Sequence, residues 1–250
     1  MIRKAVMACL LVIGVGYAEA QTFVDVQRSF PRVGNAIRTK EELLKKEFQE
    51  KGLQWPMKQM YVRSFKWDSQ LEVWVRSSAQ EPFKLFKTYK VCAMAGKLGP
   101  KRMEGDYQVP EGFYYINEFN PRSMYHLSLG INYPNASDKL LSDSVKPGGE
   151  IYIHGRCYTV GCIPLQDPQI EELYILATNA KASGQDFIPV HIFPVRYNNA
   201  KSVDQLRKAS IENRDLIHFN NQLERVFKYF EEKHRLPVIS VNARGDYVML

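Results

Sequence analysis

Between Met60 and Cys92 the chain adopts a two-residue repeat, and this feature restricts its fold more than any other. Tyr61, Arg63, Phe65 and Trp67 alternate with other residues, and Leu71–Arg76 and Phe83–Lys87 follow after short polar turns. Period two is the spacing of side chains on one face of a strand, so three such runs predict a β-meander. Phe113–Ile116, Tyr125–Ile131, Glu150–His154 and Phe187–Val195 read as further strands, with a long loop from Gly96 to Gly112 that contains four glycines and two prolines. That loop lacks any phosphate-binding or dinucleotide fingerprint and reads as a turn or a substrate-facing flap.

Helical signals flank this region. Residues 21–38 read as a polar, irregular lead-in, and Thr39-Lys40-Glu41-Glu42 then forms a capping-box pattern for a helix reaching about Glu50 and stopping at Gly52. Asp167-Pro168 predicts a second helix with Asp167 as N-cap, continuing to about Lys181 and ending near Gly184. Ser202–Ala209 and Asp215–His234 also read as helical, and Val238–Leu250 as a closing hairpin. Strands dominate the middle and helices gather late, which is a β-rich α+β arrangement.

The first twenty residues carry their own pattern. Arg3 and Lys4 precede an apolar run from Ala5 to Tyr17, and Ala18-Glu19-Ala20 reads as a cleavage site before Gln21. The run is short for a bilayer span, so the expectation is a removable signal peptide over 1–20 and an exported mature chain. Three cysteines then remain, Cys92, Cys157 and Cys162, and an odd count in an oxidising compartment leaves a thiol unpaired. One pairing would bridge Cys92 to Cys157 and leave Cys162 free; the spacing alone does not select it. The net charge of +7 comes from scattered rather than clustered residues. It suits a solvated surface with weak steering toward carboxylate-rich polymers, and no nucleic-acid recognition motif accompanies it.

The chemistry concentrates in Ile151-Tyr152-Ile153-His154-Gly155-Arg156-Cys157-Tyr158-Thr159-Val160-Gly161-Cys162-Ile163-Pro164. This segment leaves a strand, turns at glycines and presents a histidine and two cysteines. Covalent acyl chemistry needs a nucleophile, a base in reach and donors for the developing oxyanion. Cys162, His154 and the backbone around Gly161 and Cys162 fit those parts, and an imidazole beside a thiol is expected to lower the thiol's pKa.

The arrangement resembles the L,D-transpeptidase catalytic domain (YkuD) family, whose signature joins His-Gly to Ser/Thr-x-Gly-Cys. Here the pieces are His154-Gly155 and Thr159-Val160-Gly161-Cys162, at a spacing similar to its YafK-like branch. Gly96–Lys101, Glu104-Gly105-Asp106, Pro110–Tyr114, Tyr125–Ser128, Asp167 and Ile170–Tyr174 extend the likeness over roughly residues 60–197. The implied division is a lead-in with helix over 21–59, the catalytic domain over 60–197 and a helical extension with hairpin over 198–250.

The resemblance implies Cys162 as nucleophile, His154 as general base and Gly155 as the residue whose carbonyl orients it. Thr159 and Gly161 match residues that shape the oxyanion pocket, and His126 lies where the family often has a substrate-pocket histidine. Many members place an arginine shortly after the cysteine; here Ile163-Pro164 follows, and Arg156 is the candidate for that carboxylate contact. The implied substrates are peptidoglycan stem peptides, with a wall-linked protein as a further partner and with no cofactor. The implied reaction forms a thioester that an amine resolves by transfer or water by hydrolysis, as in an L,D-carboxypeptidase or amidase.

Three other readings compete. A non-catalytic wall-binding module would keep the fold but has no need of an intact His154, Gly161 and Cys162. A thiol-redox protein would use C-x-x-C, whereas four residues separate Cys157 from Cys162. Zinc on His154, Cys157 and Cys162 lacks both paired ligands and a fourth donor.

Overall fold

A computed structural model describes residues 21–250, so the signal-peptide reading of 1–20 lies outside the described residues. The chain begins with two helices, α1 (Phe23–Arg28) and α2 (Pro31–Glu50). The meander follows as β1 (Gln59–Phe65), β2 (Gln70–Arg76) and β3 (Lys84–Lys90), then β4 (Gly112–Asn120), β5 (Ser128–Ile131), α3 (Ala136–Leu141), β6 (Tyr152–His154) and β7 (Ile163–Pro164). The remainder is α4 (Asp167–Ala182), β8 (Ile188–Phe193), α5 (Ala200–Ser210), α6 (Arg214–Lys233) and the hairpin β9 (Ile239–Val241) and β10 (Tyr247–Met249). Eight strands form one mixed sheet in the order β3-β2-β1-β8-β4-β5-β6-β7, in which β1–β8 and β6–β7 are parallel and the other pairs antiparallel.

The fold is α+β, with helices on both faces of the sheet. On β1, Met60 and Val62 join the core beneath α2 and α4, whereas Tyr61 and Phe65 join aromatic clusters with Phe227 and Phe230 of α6. The alternation read from the sequence is therefore a two-sided one, apolar on each face, as expected of strands covered on both sides. Helix α4 is the centrepiece of the first layer. Ile170, Leu173, Tyr174, Ile175, Leu176, Ala177 and Ala180 are all fully buried, a pattern that runs around the helix because α2 covers one side and the sheet the other.

Between the sheet and α6 lies Arg63, only 2 % exposed. Its guanidinium is within 5.4 Å of the ring centroids of Phe65, Trp74, Phe227 and Phe230. It donates to Glu72 and, at 2.7 Å, to Glu231 of α6. The C-terminal extension is thus wired into the sheet by a buried cation.

The two ends of the sheet order meet. Just past β3, Cys92 N donates to Pro164 O of β7 at 3.1 Å, and Cys92 forms a disulfide with Cys157. The sheet curls into a half-barrel, and its seam is fastened next to the segment that carries the histidine and the free thiol.

Several boundaries differ from the sequence expectations. Residues 21–38 are largely helical: α1 begins with a Thr22–Asp25 capping box, and α2 starts at Pro31, with proline at the first turn. Thr39 sits mid-helix, its hydroxyl donating to Asn35 O at 3.0 Å, so the Thr-x-x-Glu pattern is internal and caps nothing. At α4 the N-cap is Gln166, with Asp167 and Pro168 inside the first turn. The strand expected from Tyr125 begins only at Ser128, because His126 takes φ +70° and cannot extend the ladder. Helix α3, capped by Asn135 and Asp138, was not foreseen.

Candidate active site

Strand β6 ends at His154 and the parallel strand β7 begins at Ile163, with Ile153 paired to Ile163 and His154 to Pro164. Carrying that register back one step sets Cys162 opposite Tyr152. Cys162 stands just outside that ladder, its thiol against the β6 edge backbone at Glu150 O and Tyr152 N, two register steps before His154. The loop between them is pinned at several points. Thr159 Oγ1 donates to Cys162 O at 2.8 Å and accepts from Gly161 N at 3.0 Å. Arg156 N donates to Asp167 Oδ1 at 2.9 Å, and Cys157 is held by the disulfide.

Two glycines are sterically required. At Gly155 a methyl group would lie 2.7 Å from Asp167 Oδ1, 2.8 Å from Tyr125 O and 2.9 Å from His126 Cβ. At Gly161 the backbone takes φ +149°, and a methyl group would press to 3.2 Å from Gln108 O. Gly161 therefore lets the flap close directly over the turn that precedes Cys162.

His154 is buried, its ring 4.6 Å from that of Tyr125. Its Nδ1 lies 2.6 Å from Gly155 O, and since a carbonyl only accepts, Nδ1 carries the proton and Nε2 is left as an acceptor. Burial holds the imidazole below its ordinary pKa, opposed by the Gly155 carbonyl. Cys162 is the free cysteine among the described residues, and its thiol points to Glu150 O at 3.7 Å. Burial pushes the thiol up; a backbone hydrogen bond from Tyr152 and the charge of Lys101 pull the other way, and Glu150 adds to the rise. The resting pair is thus neutral thiol and neutral imidazole, which corrects the expected lowering of the thiol pKa. Iodoacetamide labelling of Cys162 should accordingly be slow at pH 7 and climb only above the ordinary thiol value of about 8.5. A labelling rate that levels off well below that pH would contradict this description.

The thiol opens into a cavity of about 270 Å³ whose walls include Lys101, Glu104, Tyr107, Glu150 and Val160. Three of these come from the flap between β3 and β4, which is fixed from beneath. Lys66 Nζ, fully buried, lies 2.9 Å from the carbonyls of Lys97, Gly99 and Val109 and from Glu111 Oε1, which also accepts from Gly99 N at 2.8 Å.

Of the residues singled out from the sequence, Gly161 and Cys162 line this cavity, whereas His154 and Gly155 are buried and do not line it. Gly161 N–H is occupied by Thr159, so neither is an open oxyanion donor; Thr159 shapes the turn instead. His126 points away from the cavity: its Nε2 is 2.8 Å from Glu171 Oε1 and its Nδ1 3.9 Å from Asp167 Oδ2. Arg156 is exposed and does not line the cavity, so it does not fill the place of the missing arginine. Glu104, Tyr107 and Glu150 were missed as site residues. Their signal was the glycine-rich flap and the glycine pair before Glu150, which bring backbone close to the thiol but do not announce side-chain roles. No group of three or more metal-ligating side chains occurs among the described residues.

Residues 71–192 match the sequence model of the L,D-transpeptidase catalytic domain, YkuD. The chain is 32% identical over 192 residues to the Escherichia coli K12 protein named "Putative L,D-transpeptidase YafK", covering 76% of this chain and 73% of that protein. Among solved structures it is similar to the helical cell shape determining protein Pgp2 from Campylobacter jejuni, at 22% identity and TM-score 0.43, over 73% of this chain and 72% of that one. A further similarity is to Bd1075 of Bdellovibrio bacteriovorus, at 21% identity and TM-score 0.40, over 70% and 63% of the two chains.

Proposed function

Because this chain belongs to the L,D-transpeptidase catalytic domain (YkuD) family, we propose that it opens an amide bond in peptidoglycan stem peptides through a thioester on Cys162. The observation that carries this reading is a free thiol lining a cavity, directly before the strand that pairs with a buried histidine whose Nε2 is the unprotonated nitrogen. As the sulfur attacks the scissile carbonyl, His154 Nε2 takes the thiol proton, so no standing thiolate is needed. The oxyanion forms beside the Cys162 N–H, the candidate donor now that Gly161 N–H is taken. Collapse of the tetrahedral species breaks the C–N bond, and His154 returns the proton to the departing amine. A second amine resolves the thioester by transfer, or water resolves it by hydrolysis, with His154 again accepting the proton. Export fits the same reading, since a disulfide beside a free thiol is at home in an oxidising compartment.

Mass spectrometry tests the proposal. Stem-peptide fragments incubated with the protein should leave an acyl adduct on the Cys162 peptide and release the amine. Without an acceptor the product is a shortened peptide, and with an added amine it is a new amide. Fragments that bind without adduct or product would make this a wall-binding module instead.

A further inference from the structure

The cavity at Cys162 carries an uneven set of charges. Its cation, Lys101, is 5 % exposed, and Nζ is already committed to Asp106 Oδ1 at 2.5 Å and Met103 O at 2.7 Å. Its two carboxylate walls, Glu104 and Glu150, are exposed, and neither has an ion-pair partner within 4.0 Å among the described residues. Both are fixed by their backbones. Glu104 N donates to Lys146 O at 2.8 Å, and Asp143 N to Arg102 O at 2.8 Å, which zips the flap to the stretch leading into Glu150. Glu150 stands at φ +54°, and its carbonyl faces the Cys162 thiol. No arginine follows shortly after Cys162, where Ile163-Pro164 stands, and Arg156 does not line the cavity. The cavity wall at Cys162 therefore offers two uncommitted carboxylates, and the nearest exposed cation, Lys146, lies in the adjoining groove that Glu104 and Glu150 also line.

Resting on the reading of Cys162 as nucleophile, we propose that Glu104 and Glu150 are specificity determinants that bind a primary ammonium group of the substrate beside the scissile carbonyl. Stem peptides supply that chemistry in a diamino acid of the acyl donor whose side-chain amine is free. A cation held there does more than anchor the peptide. The Glu150 charge opposes ionisation of Cys162, and an ammonium paired with Glu150 offsets it, so that recognition also eases proton loss from the thiol.

The test compares two synthetic stem peptides that differ only in whether the diamino residue's amine is free or acetylated. Wild-type protein should favour the free amine by about tenfold in kcat/KM, a typical size for one charge-assisted contact. In the Glu104→Gln/Glu150→Gln variant that ratio should fall toward one, and Glu104→Lys/Glu150→Lys should invert it. Hydrolysis alone is followed, which keeps the comparison on the acyl donor, because an acetylated acceptor has lost the nucleophile that transfer needs. Glu150→Gln should in addition shift iodoacetamide labelling of Cys162 to lower pH, a change that a merely structural side chain would not produce. An equal ratio in wild type and both variants overturns the assignment. If wild type turns over neither peptide, the enzymatic reading fails, and equilibrium binding of the two peptides to the Cys162→Ala protein decides the ammonium question alone. Equal affinity there overturns it, and preference for the free amine upholds it.

Discussion

Replacing Cys162 with alanine should abolish both hydrolysis and transfer, with a loss on the order of 10³-fold or more. The sulfur forms the covalent bond, and no other free cysteine exists among the described residues to take its place. Stability should hardly change, since the thiol lies outside the disulfide and its contact with Glu150 O, at 3.7 Å, is long and weak. Cys162→Ser is the informative companion. A hydroxyl is far less acidic than a thiol, so the serine variant should bind peptide but acylate poorly. Turnover measured alongside a thermal melt separates chemistry from folding. Near wild-type turnover in a folded Cys162→Ala protein would remove Cys162 from the mechanism.

Arg63→Met should be the most damaging single change to the fold away from the site. It leaves the Glu72 carboxylate, 3 % exposed, with Arg196 at 2.6 Å as its remaining cation, and strips Glu231 of its link to the sheet. Removing one partner of a buried pair typically costs about 3–5 kcal/mol, because the survivor keeps its desolvation penalty. Loss of four cation–aromatic contacts adds to it. Pairing the change with Glu72→Gln should recover part of the loss, since the stranded charge is then gone. Urea unfolding of the single and double variants measures both effects. A cost below about 1 kcal/mol for Arg63→Met would show that the aromatic box stands without its cation.

The fold was legible in the sequence wherever side-chain period carried the information. The meander, α4 to α6 and the closing hairpin all follow from patterns of two or of three to four residues. Signals shared by different structures misled. Thr39 and Glu42 fit a helix start and equally a helix interior, and only Pro31, upstream, marks the true beginning. Likewise His126 looked like part of the strand before Ser128 until its left-handed backbone turned it toward Glu171. At the site, His154, Gly155 and Cys162 stood out because their chemistry and spacing are dense in one segment. Glu104 and Tyr107 did not. They reach the cavity through the flap, whose position depends on Lys66 and Glu111, 45 residues apart in sequence and joined only when the sheet has formed.

The bond between Cys92 and Cys157 also sets an order of events in the life of the chain. In an unfolded polypeptide Cys157 meets Cys162, five residues away, far more often than it meets Cys92, 65 residues away. The difference in loop-closure entropy amounts to about 2 kcal/mol in favour of the short link. That short link would consume the thiol that the site depends on. Native packing reverses the preference, because Cys92 N bonds Pro164 O across the seam and brings the two distant sulfurs together, while Cys162 is drawn toward Glu150 O. The native connectivity is therefore a product of the finished fold rather than a guide to it. A chain oxidised before its sheet closes is led to the pairing that silences it.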